Sequence, residues 1–197
     1  MIIPMMQAVL TFALVIFLLL PLRSLETSKQ LLILLALMGL ALIPVKGIAL
    51  AIYVRSIVDD LSISATAALT VAALVRMRLV TGPDRLQQRE LLICFAALAL
   101  LLYPAALGAT FFDPYRLGYS PRFLIAAIGC ITLFFLMRSN LTGAAILSLA
   151  TLAFSLELKG SENYWDYLID PAIGIYCIAV LLLQIAKRFI PVRYRRA

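Results

Sequence analysis

Seven long apolar runs, separated by short charged segments, constrain this chain more than any other feature. They lie near residues 2–22, 31–54, 61–76, 91–108, 122–137, 141–157 and 170–187. About 20 apolar residues in a helix cross the hydrocarbon core of a bilayer. The chain is 64% hydrophobic, whereas a typical soluble domain is about half apolar. The sequence therefore predicts an all-α integral membrane protein: a single domain over residues 1–197 with about seven transmembrane helices.

The basic residues predict the orientation of this bundle, because cytoplasmic loops of membrane proteins carry an excess of Lys and Arg. With the N-terminus outside, twelve basic residues are cytoplasmic: Arg23, Lys29, Arg76, Arg78, Arg85, Arg89, Arg138, Lys187, Arg188, Arg193, Arg195 and Arg196. Five are outside: Lys46, Arg55, Arg116, Arg122 and Lys159. The split predicts an outside N-terminus and a cytoplasmic C-terminus.

Local signals predict where several helices begin and where one is interrupted. Asp60, Ser120, Asn140 and Asp170 each precede an apolar run and are suited to capping its first backbone N–H groups. Pro44 lies inside the second run, where a missing N–H and a clash with the preceding turn predict a break.

Polar and aromatic residues in three predicted outer loops form the main candidate binding site. The loops read VRSIVDDLSIS, FFDPYRLGYSPRF and SENYWDYLIDP. The candidate residues are Arg55, Asp59, Asp60, Asp113, Arg116, Glu162, Trp165 and Asp166. Carboxylates suit a cation and Arg suits a phosphate or carboxylate, which favours a binding surface for a lipid head group, a glycan or a partner protein. The alternative is structural: helix caps, salt pairs and an interfacial belt of aromatic residues.

The two interpretations differ in what they predict for distances between the loops. A site requires that the loops converge. Pairs such as Arg116 with Asp166, or Arg55 with Asp59 or Asp113, then lie within about 4 Å or share a bridging cation or water. Caps and an aromatic belt leave the loops apart.

Lys46 and Glu157 are candidates of another kind, charged residues near the ends of predicted spans. If Lys46 lies within the membrane, Asp59, Asp60 or Glu157 is its expected partner. A broken helix beside a charge indicates a midplane transport site. The alternative is that Lys46 extends its ammonium group to the outer interface.

Several classes of function are excluded by residues that the chain lacks. It has no histidine, which removes Ser-His and Cys-His nucleophile pairs and the common His metal sites. It has no phosphate-binding or dinucleotide-binding glycine motif. Cys94, Cys130 and Cys177 match no metal or redox spacing and are predicted to be free thiols within helices. We therefore predict no metal and no cofactor, and the +7 charge is attributed to topology rather than to nucleic acid.

Two stretches carry a resemblance to known membrane proteins. YVRSIVDDLSIS resembles the Arg-x-x-x-x-Asp-Leu-Ser segment that enters a span in the membrane domain of lipoteichoic-acid-synthase-like sulfatases. FFDPYRLGYSP and ENYWDYLIDP resemble segments of uncharacterised small inner-membrane proteins of Gram-negative bacteria. None of the sulfatase family's catalytic motifs is present, so no catalytic residue carries over. The resemblance implies a multi-pass module of the bacterial inner membrane that works beside another protein.

The leading hypothesis is a non-enzymatic accessory or binding subunit in cell-envelope lipid or glycan metabolism, in contact with membrane lipids and a protein partner. One alternative is a small transporter or flippase. The other is a carboxylate- or metal-dependent membrane transferase.

Overall fold

The computed structural model describes residues 2–108 and 112–189, and almost all of its secondary structure is helical. The α-helices in these ranges are α1 Ile2–Leu19, α2 Thr27–Ala41, α3 Leu50–Val58, α4 Ile63–Arg76, α5 Arg85–Ala106, α6 Arg122–Met137, α7 Leu141–Ser155, α8 Trp165–Leu168 and α9 Pro171–Phe189. A 3₁₀ helix, Pro114–Gly118, follows α5. The predicted all-α class is confirmed. The tail residues Arg193, Arg195 and Arg196 lie outside the described ranges.

Seven of these helices run alternately between two ends of the structure. Gln7 in α1 donates to the Leu61 carbonyl just before α4. At the opposite end of α4, Arg76 donates to the Phe17 carbonyl of α1 at 2.7 Å. The side chain of Gln87 near the start of α5 reaches the Ser139 carbonyl between α6 and α7. We call residues 42–49, 59–62, 112–121 and 156–170 the loop end. The basic end comprises residues 20–26, 77–84 and 138–140 with the last turn of α9.

Helix length separates the apolar helices into two groups. In the described ranges, Arg85–Ala106 and Pro171–Arg188 are long and apolar enough to cross a membrane, with mean hydropathies of 1.7 and 1.5. The other apolar helices are shorter, at 10–17 residues when α1 is counted from Met5. Some predicted runs, such as 61–76 and 122–137, already have only 16 residues, whereas others end in apolar turns that are not helical.

The second apolar run is the clearest example, and its predicted break near Pro44 is confirmed. Helix α2 ends at Ala41, and the strands β1 Pro44–Val45 and β2 Ile48–Ala49 then form an antiparallel hairpin. Lys46 and Gly47 occupy its two-residue turn with φ of 50° and 83°. Positive φ at both positions is the signature of a type I′ turn, which favours Gly.

The centre of the structure is packed through small residues. The buried residues of α4 include Ala65 and Ala73, and those of α7 include Ala144, Ala150 and Ala153. Small side chains let helix backbones approach closely, as at helix interfaces in membrane proteins. These contacts fix the positions of the loops that α4 and α7 carry at the loop end.

Two of the four predicted helix caps are confirmed. The Asn140 side chain accepts from the Gly143 N–H at 3.1 Å, and Asp170 accepts from the Ile173 N–H at 2.9 Å. The prediction for Asp60 is wrong, because α4 begins later and Ser62 is its N-cap. The prediction for Ser120 is also wrong, because Pro121 occupies the N-cap position of α6.

Candidate functional site

An acidic centre forms around the Asp166 carboxylate, where α8 and the segment before it meet the 3₁₀ helix. We call Asp60, Lys159 and Asp166, with their hydrogen-bond partners, the acidic cluster. The Asp166 carboxylate accepts from the Tyr115 hydroxyl at 3.1 Å and from the Ser161 hydroxyl at 2.5 Å. Partial burial raises the pKa of Tyr115, and the Asp166 charge and hydrogen bond raise it further. Both hydroxyl groups therefore act as donors that hold the carboxylate in place.

Lys159 connects this acidic centre to the link between α3 and α4. Its ammonium group donates to the Asp60 carbonyl at 2.9 Å and to the Asp166 carbonyl at 3.0 Å. Burial lowers the pKa of Lys159, and the surrounding carboxylates, with Asp166 first, oppose that shift. Its backbone N–H also donates to the Tyr167 hydroxyl at 3.1 Å. One buried lysine thus joins two of the three loops.

The third loop docks on the same segment through backbone carbonyls. The Trp165 indole N–H donates to the Pro114 carbonyl at 2.8 Å, and the Asn163 amide donates to the Tyr115 carbonyl at 3.0 Å. The Tyr164 N–H donates to the Gly118 carbonyl at 3.1 Å. A β-carbon at Gly118 would lie 1.7 Å from the Asn163 Oδ1 atom, so this approach requires glycine.

Asp170 fixes α9 to α4 directly below these loops. Its Oδ2 atom accepts from both the backbone N–H and the hydroxyl of Ser62, at 2.8 and 2.7 Å. The Ser62 oxygen in turn accepts from the Ala65 N–H and caps α4. Asp170 is 7% exposed and Ser62 is fully buried. The starts of α4 and α9 are therefore joined by a buried contact in which these polar side chains have hydrogen-bond partners.

The first predicted loop contributes a single ion pair. Arg55 Nη2 lies 2.6 Å from Asp60 Oδ2, whereas Asp59 uses its carboxylate to accept from the Asp60 N–H at 2.8 Å. The pair borders a pocket of about 10 Å³ that Ala8 and Thr11 also line. That volume holds about one water molecule and no larger ligand.

The three loops therefore converge at the loop end, but the pairs that join them differ from those predicted. Arg116 does not lie within ion-pair distance of Asp166, whose partners are Tyr115 and Ser161. Arg55 pairs with Asp60 and with neither Asp59 nor Asp113. Neither predicted pairing is a direct contact, because hydroxyl groups, a lysine and backbone carbonyls make the contacts between loops.

No family model matches this chain, and neither the curated proteins nor the solved structures provide a match.

The charged residues that were predicted for the binding site differ in their exposure. Asp60 and Asp166 are half-buried and bonded within the cluster. Asp113 is exposed and accepts from the Tyr115 N–H at 3.0 Å. Arg116 and Glu162 are exposed, and their side chains form no ion pair or hydrogen bond with any described residue. The unpaired charges thus lie on the outer surface of the converged loops.

The predicted aromatic belt is wrong for this segment. Tyr164, Trp165 and Tyr167 are each 0% exposed and belong to the largest buried cluster. Phe154 of α7 packs on the rings of Tyr164 and Tyr167, with ring centroids 4.9 and 5.3 Å apart. The Tyr164 hydroxyl also lies 2.6 Å from the Thr151 hydroxyl. These aromatic residues therefore pack in the core beneath the loops and do not lie at the exposed edge of the loops.

Lys46 and Glu157 do not form the predicted intramembrane pair. Lys46 lies in the exposed hairpin turn, and Glu157 lies two residues beyond the end of α7 in an exposed position with φ of 53°. Neither residue forms an ion pair within residues 2–108 and 112–189. Each residue lies in an exposed turn, where a charged side chain needs no ion-pair partner.

Sequence reasoning left out the residues that hold the site together. Ser62, Ser161 and Asn163 are not among the predicted site residues, and Lys159 is predicted only to be one of the outside basic residues. A polar residue next to buried aromatic residues was the available signal. Buried polar groups are almost always hydrogen-bonded, so Asn163 beside Tyr164 and Trp165 indicates a fixed contact. Its partner, the Tyr115 carbonyl, is 48 residues away in the chain.

The polar groups of the acidic cluster are hydrogen-bonded to one another. The hydroxyl groups of Ser161 and Tyr115 both donate to Asp166, and the Lys159 ammonium group donates to carbonyl oxygens. In the described residues, no group of three His, Cys, Asp or Glu side chains is arranged to hold a metal ion. The exposed charges of these loops therefore lie on a support that internal hydrogen bonds hold in place.

Proposed function

We propose that the chain is a multi-pass protein of the bacterial inner membrane in which all seven long helices cross the bilayer. The proposal is supported by large apolar side chains that face outwards along these helices. Examples are Leu100 at 61% exposure, Phe123 at 82%, Leu133 at 61%, Ile175 at 67% and Leu182 at 60%. Soluble monomers rarely expose apolar surface on this scale, whereas lipid requires it.

Within the membrane, we propose a non-enzymatic accessory subunit that binds a partner protein of cell-envelope lipid or glycan metabolism. The observation that carries this proposal is the support of the loop end by fixed contacts between its loops, with Arg116 and Glu162 unpaired on its surface. A surface that is already ordered loses little conformational entropy on binding. Exposed charges of both signs favour a partner with complementary charges.

The hydrogen bonds inside the cluster favour binding over catalysis. A nucleophile needs a base that can take its proton. The chain has no histidine to act as that base, and the one carboxylate that Ser161 contacts, Asp166, is shared with the Tyr115 hydroxyl. These residues then stabilise the surface, and recognition is left to the charges around them.

In-membrane photocrosslinking tests this function. A photoreactive phenylalanine analogue replaces Arg116, Glu162 or, as the control at the basic end, Arg78. We expect the same protein adduct from positions 116 and 162 and a different pattern from position 78. The adduct from position 116 should be lost when Glu162→Arg reverses the neighbouring charge and should persist with Arg78→Glu. Adducts that are identical at all three positions, or that ignore Glu162→Arg, would contradict a partner at the loop end.

A further inference from the structure

A groove opens sideways between α5 and α6 in the half of the structure that faces the basic end. Helix α5 packs mainly against α9, and α6 packs mainly against α7, so the two helices diverge. The groove has a volume of about 430 Å³. Its apolar lining consists of Ile93, Cys94, Ala97, Leu98, Leu101, Ile131, Phe134 and Phe135.

The mouth of this groove at the basic end is charged. Glu90 lines it and accepts from Arg138 Nε at 3.0 Å and from the Asn140 amide at 3.1 Å. The two terminal nitrogens of Arg138 donate to no described residue. Arg89, next to Glu90, is exposed and also has no partner in the described ranges. Arg138 thus keeps two free nitrogens beside the groove, and Arg89 adds a second unpaired cation next to Glu90 in the chain.

We propose that this groove binds one phospholipid with an anionic head group, its phosphate at Arg138 and one acyl chain along the apolar lining. The inference rests on the membrane location proposed above. A guanidinium group forms paired hydrogen bonds to phosphate oxygens, and the free nitrogens of Arg138 are available for them. Basic pockets between membrane helices on the cytoplasmic side recognise anionic lipid head groups in this way.

The length of the groove favours a lipid over another protein helix. From Glu90 to Leu101 the helix rises about 16 Å at 1.5 Å per residue. That distance matches one leaflet, about half of a 30 Å hydrocarbon core. A helix of a partner or of a second copy crosses both leaflets and needs an apolar groove about twice as long.

Lipid titration of the purified full-length chain tests the proposal. Phosphatidylglycerol and phosphatidylcholine with the same acyl chains are added in a mild detergent, and bound lipid is counted by native mass spectrometry. We expect a preference for phosphatidylglycerol that Arg138→Gln reduces by about tenfold, the effect of one lost charge-assisted contact. Arg78→Gln removes a charge at the same end outside the groove and should keep the preference.

A second variant removes the acyl site without changing charge. Ala97 is an exposed residue of the groove, so Ala97→Phe fills the groove while the helix keeps its packing on α9. We expect Ala97→Phe to lose the bound lipid, whereas Ala72→Phe at an exposed position of α4 should keep it. Equal affinity for both lipids, lipid binding unchanged in Ala97→Phe, or a dimer that Ala97→Phe dissociates would each overturn the proposal.

Failure of the groove and failure of the membrane location give different results. Alkaline carbonate extraction of the native membranes reports the location alone. A chain that stays in the membrane but binds phosphatidylglycerol equally well in wild type and Ala97→Phe disproves only the groove. A chain released by carbonate disproves the membrane location.

Discussion

At the scale of single residues, the loop end depends on a few polar groups whose partners are distant in the chain. Lys159 reaches a carbonyl 99 residues earlier, and Asp166 holds a hydroxyl 51 residues earlier. In each contact a charged side chain is partly buried and has hydrogen-bond partners. Loss of one partner leaves the other desolvated, which costs more than the contact itself contributes.

The Tyr115 hydroxyl gives a prediction with a defined pH dependence. Tyr115→Phe should reduce the free energy of unfolding by about 1 kcal/mol at pH 8, because Asp166 loses a donor. Partial burial and then the Asp166 charge raise the folded-state pKa of Tyr115 above its usual value near 10. Above pH 10 the unfolded tyrosine releases its proton first, so the stabilisation by Tyr115 decreases as the pH rises.

Denaturant unfolding in detergent at pH 8 and at several values above pH 10 measures this dependence. The difference between wild type and Tyr115→Phe should shrink with rising pH. The trend should also weaken in an Asp166→Asn background. A pH trend that is the same in that background would show that Asp166 is not the partner that matters.

At the scale of elements, the 3₁₀ helix Pro114–Gly118 is held by side chains of another segment rather than by its own length. Trp165, Asn163 and Tyr164 each donate one hydrogen bond to a carbonyl oxygen of this helix. A five-residue 3₁₀ helix has too few internal hydrogen bonds to be stable alone. Its position is therefore set by the buried aromatic segment before α8.

Gly118 is the position where this docking has no room for a side chain. Gly118→Ala should destabilise the chain by about 1–3 kcal/mol, because its β-carbon would overlap Asn163 Oδ1 and crowd the Trp165 ring. Gly129→Ala in α6 is the matched control, since nothing lies within 4 Å of its β-carbon and alanine favours a helix.

The thermal unfolding midpoint in detergent compares the two variants. We expect a lower midpoint for Gly118→Ala and an equal or higher one for Gly129→Ala. Equal midpoints for both variants would mean that the 3₁₀ helix moves away from Asn163 at little cost.

At the scale of the whole molecule, the two ends differ in their charged groups. The basic end carries Arg76, Arg78 and Arg138, and the loop end carries the acidic cluster. Arg76 also caps α1, since its guanidinium group donates to the Phe17, Leu18 and Leu20 carbonyls. Orphan carbonyl groups at a helix C-terminus bind cations well, so this charge stabilises the end of α1.

Single cysteines in a cysteine-free variant test the orientation. Cysteine at Asp59, Asp113 or Glu162 should react with a charged, impermeant maleimide added from the periplasmic side. Cysteine at Arg78 or Arg85 should react only after the membrane is opened, because basic loops stay in the cytoplasm. Opposite labelling of positions 113 and 162 would contradict the site, since groups on different faces of a bilayer about 30 Å thick cannot cooperate.

The sequence by itself determined the features that depend on neighbours a few residues away. The apolar runs locate the long helices to within a few residues, except that α2 and α5 begin earlier and the second run is split at Pro44. The caps at Asn140 and Asp170 and the three free, helical cysteines follow from the same short-range chemistry. Hydrogen bonds within one helix and its cap decide where the helices lie and where they begin.

Only the tertiary structure decided which distant groups meet. The burial of Trp165, the choice of Asp60 as the partner of Arg55, and the bonds of Lys159 to two carbonyls all depend on how α3, α4 and α7 pack. The groove between α5 and α6 exists because these helices follow one another in the chain but pack on different partners. An apolar residue is compatible with either a helix interface or lipid, so its type alone does not select its neighbour.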